Sequence, residues 1–435
     1  MIALDGPALE PAVAARRAAA APGAFWLSAP GADEVTIARD LVGAEPARVV
    51  RGDSVAALER AWLEERGRWG PLEGRGAGSG GPPPGVPIAA GWLSYDLGRP
   101  WMGLQPRAPD AVVAPFAPLE FHFHDAVWVR PVGGPATIFA REEAAARRLR
   151  ARLESDVPRA PPAAPPGALT PDHDANLYLE GARRVLAYLG AGDAYQVNLA
   201  RRASAPFGGA AVELAAALRA RAPAPHAAFI ASVDGAAALV GNSPERFLAL
   251  DGRGAVETRP IKGTRALARA GREELLASPK DRAEHVMIVD LERNDLGRVC
   301  QTGSVVVEGV ARVLDLPTVY HLVTTVRGRL RPEVGLSELL AAAFPGGSIT
   351  GAPKRRAMQI IDELEPVARG PYTGATGWLG AAGDLDLAVA IRTALVSGGR
   401  LSLSLGGGIV ADSTPEDEWG ETEVKALAFA RLCGA

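Results

Sequence analysis

Cysteine and histidine are scarce in this chain. Two cysteines among 435 residues, Cys300 and Cys433, are too few for a disulfide framework and point to a reducing compartment. Six histidines add little to a zinc-ligand inventory, so a Cys/His zinc site is not expected. A dominant charge sign is missing too. Forty-seven Lys and Arg stand against 50 Asp and Glu, a formal net charge of -3, which removes the broad basic face of a nucleic-acid binder. No apolar run reaches the roughly 18–20 residues that span a bilayer. Near the N-terminus Asp5 and Glu10 precede Arg16 and Arg17, which is no secretory signal pattern. What remains is a cytoplasmic, enzyme-sized protein with enough core for two or three domains or one two-lobed fold.

Two stretches lack hydrophobic period. The Gly/Pro-rich run 66–87 reads as a surface loop, and 156–171 reads as a stiff Pro-rich linker. The linker divides an N-terminal lobe, 1–155, from a second lobe, 172–435. In the first lobe FHFHDAVWV (121–129) reads as a strand. His122 and His124 lie two apart on one face, with no third metal ligand near, so a solvated or hydrogen-bonded strand face is the simpler reading. In the second lobe a helix is expected over 172–189. The strand 193–203 follows, with Tyr195, Val197 and Leu199 on one face and Gln196, Asn198 and Ala200 on the other. Further strands are expected at 226–232, 237–242, 246–250, 304–314 and 401–405, and helices at 279–294, 336–343, 353–362 and 415–430. Strands and helices cluster instead of alternating, which favours an α+β fold.

Several side chains have chemical potential. Ser278-Pro279 and Thr414-Pro415 each open a helix, and each helix carries carboxylates at i, i+3: Asp281 with Glu284, and Glu418 with Glu421, followed by Lys425. If the two faces meet, an all-oxygen site of this kind suits Mg²⁺; if not, these are solvated helix faces. GGSITGAPKRR (346–356) is not a Walker A loop, because Lys354 comes too late, but a Gly-rich turn entering a helix offers N–H groups to an anion. Gly406, Gly407 and Gly408 after LSLSL allow close backbone approach or a tight turn. Lys262 sits in a short apolar context, where desolvation makes a nucleophile and exposure makes an ordinary surface charge. Glu245 follows a Ser-Pro turn, where a cleft makes a carboxyl a general acid. Arg392 lies in an apolar run and needs a carboxylate partner, from the protein or from a ligand.

The ordered series YQVNLARR, SPERF, RPIKGTR, AEHVMIVDLERNDLGRV, GGSITGAPK, GPYTGATGW, IRTAL and GGGIVADSTPEDEWGETEVKA resembles the chorismate-utilising enzymes. The likeness is strong over 172–430 and loose before it. It implies a large two-lobed α+β sandwich of orthogonally packed, mainly antiparallel sheets flanked by helices. It implies Mg²⁺ on Glu284 and Glu421, with Asp281 and Glu418 alongside, holding the ring carboxylate of chorismate. Arg392, Tyr372 and the backbone of Gly406 and Gly408 would take the pyruvyl carboxylate. Ser348 matches a substrate-contacting hydroxyl, His321 a residue beside the departing C4 oxygen, Lys425 a lysine near the metal-bound carboxylate, and Glu245 the general acid.

Two positions sort the family. Isochorismate- and salicylate-forming members have a lysine where this chain has Gln196, and anthranilate-forming members have alanine where it has Lys262. The pair is similar to the aminodeoxychorismate-forming branch, in which the lysine adds to C2 and ammonia then enters at C4, towards p-aminobenzoate and folate. Anthranilate formation is the alternative, and a non-catalytic chorismate- or tryptophan-binding regulatory subunit a third reading. Pro223-Ala224-Pro225-His226 departs from the tryptophan-inhibited pattern, so tryptophan feedback is not expected. Ala266-Leu267 stands where Pro-Arg is commoner. The chain ends soon after the last motif, so ammonia is expected from a separate glutamine amidotransferase subunit, as a heterodimer.

Overall fold

The segment Pro87–Leu93, Pro-Ile-Ala-Ala-Gly-Trp-Leu, is apolar throughout and all of it is buried. Such a strand is covered on both faces, so it shows no in–out alternation. In the computed structural model, which describes residues 1–29, 38–70, 82–156, 167–266, 271–315 and 319–432, it lies inside one of two large sheets. Twelve strands form one sheet and ten the other, and every strand pairing among the described residues is antiparallel. Each sheet draws strands from both sides of the Pro-rich stretch. Phe25–Ala29 pairs with His226–Ala231 in the first, and Pro87–Leu93 with Ala375–Gly380 in the second.

The core is layered accordingly. Phe25, Ile230 and Leu239 of the twelve-stranded sheet meet Trp92 and Trp378 of the ten-stranded sheet in one apolar cluster between them. Helices Val55–Trp69, Pro279–Gly297 and Leu336–Ala343 pack on the outside of the ten-stranded sheet, through residues such as Trp62, Leu296 and Leu340. Helices Pro11–Ala18, Glu143–Glu154, Ala211–Arg221 and Pro415–Ala430 cover the twelve-stranded sheet, through Ala18, Leu153, Leu218 and Phe429. This is the expected sandwich of mainly antiparallel sheets flanked by helices.

Strand and helix bounds in the second lobe fall close to expectation. Arg246–Leu250, Leu336–Ala343 and Pro415–Ala430 match residue for residue. The expected helix starts are made: Ser278 Oγ accepts from Asp281 N at 3.1 Å and Thr414 Oγ1 from Asp417 N at 3.2 Å. Four expectations need correction. The helix expected from 172 begins at Ala175, because Asp174 caps it at Asn176 N (2.8 Å) while Thr170–Pro171 pairs as a short strand. Tyr195 precedes its strand and is 73% exposed, whereas Val197 and Leu199 point into the core. The run 121–129 is two strands, Leu119–Phe123 and Ala126–Pro131, and both its histidines are buried. His122 meets Glu120 Oε1 at 2.7 Å and Gly23 O at 3.2 Å, a structural tie and no metal pair. Of the Gly/Pro-rich run, 66–69 ends a helix and Pro87 opens a strand, while 71–81 lies outside the described residues, as do 157–166 of the linker, Leu267 and Cys433.

Candidate active site

Strands Gln196–Pro206 and Arg400–Ile409 pair along their length, with Asn198 opposite Gly408 and Ala200 opposite Gly406. Where this pair faces strand Ile261–Ala266 and helix Pro415–Ala430, a cavity of about 110 Å³ opens. Glu245, Lys262, His321, Ser348, Tyr372 and Arg392 line it, as do Gly406, Gly408, Glu421 and Lys425. Residues brought from far-apart motifs thus share one small space. Gln196, Asp281, Glu284 and Glu418 do not line it.

Glu245 is buried, and burial pushes its carboxyl up to about 7, against the hydrogen bond from Ser348 and the nearby positive charges of Lys262 and Arg392. It therefore keeps a large share of its protons at neutral pH, where an ordinary glutamate keeps almost none, and can serve as a proton donor. His321 donates from Nδ1 to Gly263 O at 2.9 Å, which leaves Nε2 to accept from Arg392 Nη2 at 3.2 Å. Burial and then the Arg392 charge drive its pKa down to about 3, so the imidazole is neutral. Arg392 is itself lowered to about 10 by burial, with Glu245 opposing. A desolvated guanidinium facing a cavity is short of an anion, which suits a carboxylate ligand. Arg392 adopts φ +49, in the left-handed region, a conformation that a non-glycine residue keeps only when its surroundings impose it. Burial likewise raises Tyr372, keeping its hydroxyl protonated.

Glycine is needed at the cavity floor. A Cβ on Gly408 would stand 2.8 Å from Lys262 Nζ and 2.9 Å from Gln196 Nε2, so a side chain there would displace both. Gln196 lies behind this glycine, fully buried, with neither amide atom hydrogen-bonded to protein. Two neighbours were not foreseen as site residues. Asn198 and Ser404 also line the cavity, and the alternation that put Asn198 on the face of Gln196 was the available signal. The turn at 346–350 does not offer all its N–H groups to a ligand, because Gly347 N donates to Glu292 Oε1 at 2.8 Å. Lys354 is equally committed, paired to Asp295 at 2.5 Å.

The four helix carboxylates differ in state. Glu421 is disfavoured by burial, but Lys425 at 2.6 Å outweighs this and holds its carboxyl below the usual range. Lys425 also donates to Gly406 O at 2.7 Å. Glu284 is pushed up by burial, with Lys262 and Lys280 opposing and Asp281 and Glu421 adding to the rise. Asp281 is tied to Arg265 at 2.7 Å. Glu418 is raised by burial; one oxygen accepts from Ser413 Oγ at 2.6 Å and the other, Oε2, is buried with no partner. Among the described residues no three Asp, Glu, His or Cys stand close enough to form a ready ligand set. The donor set nevertheless fits Mg²⁺: Glu418 keeps one buried oxygen without a partner, Glu284 and Glu421 repel each other, and this ion takes one or two carboxylates with waters and substrate.

A larger cavity, about 370 Å³, lies elsewhere, with Arg39, Trp378 and Asp386 in its wall. Pro225 and His226, of the segment that departs from the tryptophan-inhibited pattern, line it. No helix among the described residues is long and apolar enough to cross a membrane.

Comparison with known proteins agrees with this geometry. The model of a family described as chorismate binding enzyme matches residues 23–431. The chain is 42% identical over 357 residues to aminodeoxychorismate synthase component 1 of Klebsiella aerogenes, covering 78% of this chain and 76% of that one. It is 44% identical over 309 residues to anthranilate synthase component 1 of Streptomyces coelicolor, covering 66% and 60%. A crystal structure of anthranilate synthase component I from Streptococcus pneumoniae superposes with a TM-score of 0.75 at 26% identity, over 92% of this chain and 93% of that one. The cavity's contents and these matches together place the chain in the family of chorismate-utilising enzymes.

Proposed function

We propose that this chain aminates chorismate at C4 to give 4-amino-4-deoxychorismate. One observation carries the reading: Lys262 lines the same 110 Å³ cavity as Glu245 and Arg392, where a nucleophile, an acid and an anion anchor are all needed. Arg392 and the Tyr372 hydroxyl bind the pyruvyl carboxylate, and Lys425 lies toward the ring carboxylate. Glu284 and Glu421 would hold Mg²⁺, whose charge offsets that carboxylate. The Lys262 amine adds to C2, the ring double bonds shift, and the C4 hydroxyl leaves as water with the proton of Glu245. Ammonia then adds at C4 and gives up a proton that restores Glu245, the double bonds shift back, and the C2–N bond to Lys262 breaks. Protons balance: chorismate and ammonia give aminodeoxychorismate and water. A nucleophilic lysine thus divides one hard substitution into two easier ones. The naming of the Klebsiella relative as a component 1 supports a partner chain, which we take to be a glutamine amidotransferase supplying ammonia.

The likeness to anthranilate synthase component 1 favours a second reading, amination at C2 with loss of pyruvate. The two are separated by product. The purified chain is mixed with chorismate, Mg²⁺ and ammonium salt at mildly alkaline pH, and products are identified by mass spectrometry and fluorescence. A product one mass unit lighter than chorismate, converted to p-aminobenzoate by added lyase, is the expected result. Anthranilate would replace the first reading with the second.

A further inference from the structure

Arg369 does not line the substrate cavity, yet three segments that do are fastened to it. The residue is 4% exposed, and its guanidinium forms a fork on Glu365, Nε to Oε2 at 2.9 Å and Nη2 to Oε1 at 2.6 Å. Nη2 also donates to Asn198 O at 2.7 Å, and Nη1 to Ile349 O at 3.0 Å and to Thr373 Oγ1 at 3.2 Å. Thr373 Oγ1 donates onward to Tyr372 O at 2.6 Å. The guanidinium lies over the rings of Tyr95, at 4.7 Å, and Tyr372, at 5.7 Å. Glu365 Oε1 closes the network by accepting from Ala200 N at 2.9 Å.

Two features here cost stability. A buried ion pair is seldom more favourable than apolar packing of the same volume. Thr373, a β-branched residue, is held at φ +58, in the left-handed region. Both costs fall one residue or one hydrogen bond from Asn198, Ser348 and Tyr372. Strain kept in place beside a binding site is what precise placement of its groups requires.

We propose that Arg369, neutralised by Glu365, is a positioning residue: it sets the spacing between Asn198, the Ser348 turn and Tyr372, with the Thr373 hydroxyl as its arm to Tyr372. The proposal rests on the reading of the cavity as the chorismate site. Tyr372 meets the substrate's carboxylate in that reading, so misplacement weakens chorismate binding more than it alters ammonia use.

The test compares Thr373→Val, which removes the arm but keeps the shape, with Thr373→Ser, which keeps the arm. Chorismate affinity is measured by calorimetry with the full chain, KM for chorismate and for ammonia by turnover, and folding by thermal unfolding. Thr373→Val should raise the chorismate Kd and KM about tenfold, with the ammonia KM and unfolding midpoint near wild type. Thr373→Ser should restore wild-type values. A Thr373→Val chain that binds chorismate normally, or a Thr373→Ser chain equally impaired, would overturn the proposal. A second variant, Glu365→Gln with Arg369→Met, removes both charges so that neither is stranded. It should fold and show a chorismate KM at least about tenfold higher. Normal KM, or failure to fold, would show that the pair has another role. Wild-type protein that binds no chorismate would instead overturn the assignment of the cavity itself, whatever the variants do.

Discussion

In the proposed reaction Lys262 and Glu245 divide the chemistry between them, and each makes a distinct prediction. Lys262→Ala should abolish aminodeoxychorismate formation and leave chorismate binding largely intact, because Arg392 and Tyr372 hold the substrate; product analysis with ammonium salt checks this. Glu245 is needed as an acid, and burial places its pKa at about 7, so the rate should fall as pH rises through that value. Stability has the same sign. A carboxyl whose pKa is raised on folding contributes most below its unfolded value of about 4.3, and that contribution is lost as pH rises through 7. Glu245→Gln should therefore lose about 10²–10⁴-fold in rate and yet be more stable than wild type at pH 8, by roughly 3–4 kcal/mol. A variant less stable at pH 8 would show that the acid is not strained by burial. That these residues meet in one cavity was legible because they stand in ordered motifs. Asn198 and Ser404 were not, since a polar residue on a strand looks the same whether it faces a cavity or solvent. The commitment of Gly347 N to Glu292 was hidden for a similar reason: the carboxylate lies 55 residues away in the sequence.

At the scale of elements, two helices with Ser-Pro and Thr-Pro starts deliver carboxylates to one region, and this spacing was readable in advance. Their individual states were not. Arg265 takes Asp281, Ser413 takes one oxygen of Glu418, and Lys425 pairs with Glu421, all through side chains from other elements or from the next turn. Glu284, like Glu418, is pushed up by burial and by its acidic neighbours. A divalent cation reverses that pressure, so Mg²⁺ should stabilise the folded chain, by about 2.7 kcal/mol at a concentration 100 times its Kd. Glu284→Gln should remove most of this gain in a thermal-unfolding titration and weaken the Mg²⁺ dependence of turnover. A normal titration in the variant would take Glu284 out of the metal site. The same scale exposes where strand reading stops short. Glu120, His122 and His124 are interior, and local alternation carries no information about a second sheet lying over that face.

For the molecule as a whole, sheet membership crosses the Pro-rich stretch, and no local pattern announces this. Composition marked 156–171 as a division, but strand partners are set by burial over long sequence distances. Pro87–Leu93, buried on both faces, hydrogen-bonds to Ala375–Gly380, and Phe25–Ala29 to His226–Ala231. Cutting the chain there would leave two apolar strand edges unpaired and would open the cluster in which Trp92 meets Trp378. The cavity of the candidate site belongs wholly to the second part, since all its lining residues lie beyond 172, yet the strands that carry them rest on this shared core. The intact chain should therefore unfold in one cooperative transition. Residues 172–435 made alone should give no sharp transition and no chorismate binding, and co-expression with 1–155 should restore both. If 172–435 alone melted cooperatively and turned over chorismate, the first lobe would be an addition to a self-sufficient catalytic unit, and the sheets' continuity across 156–171 would contribute nothing essential to the site.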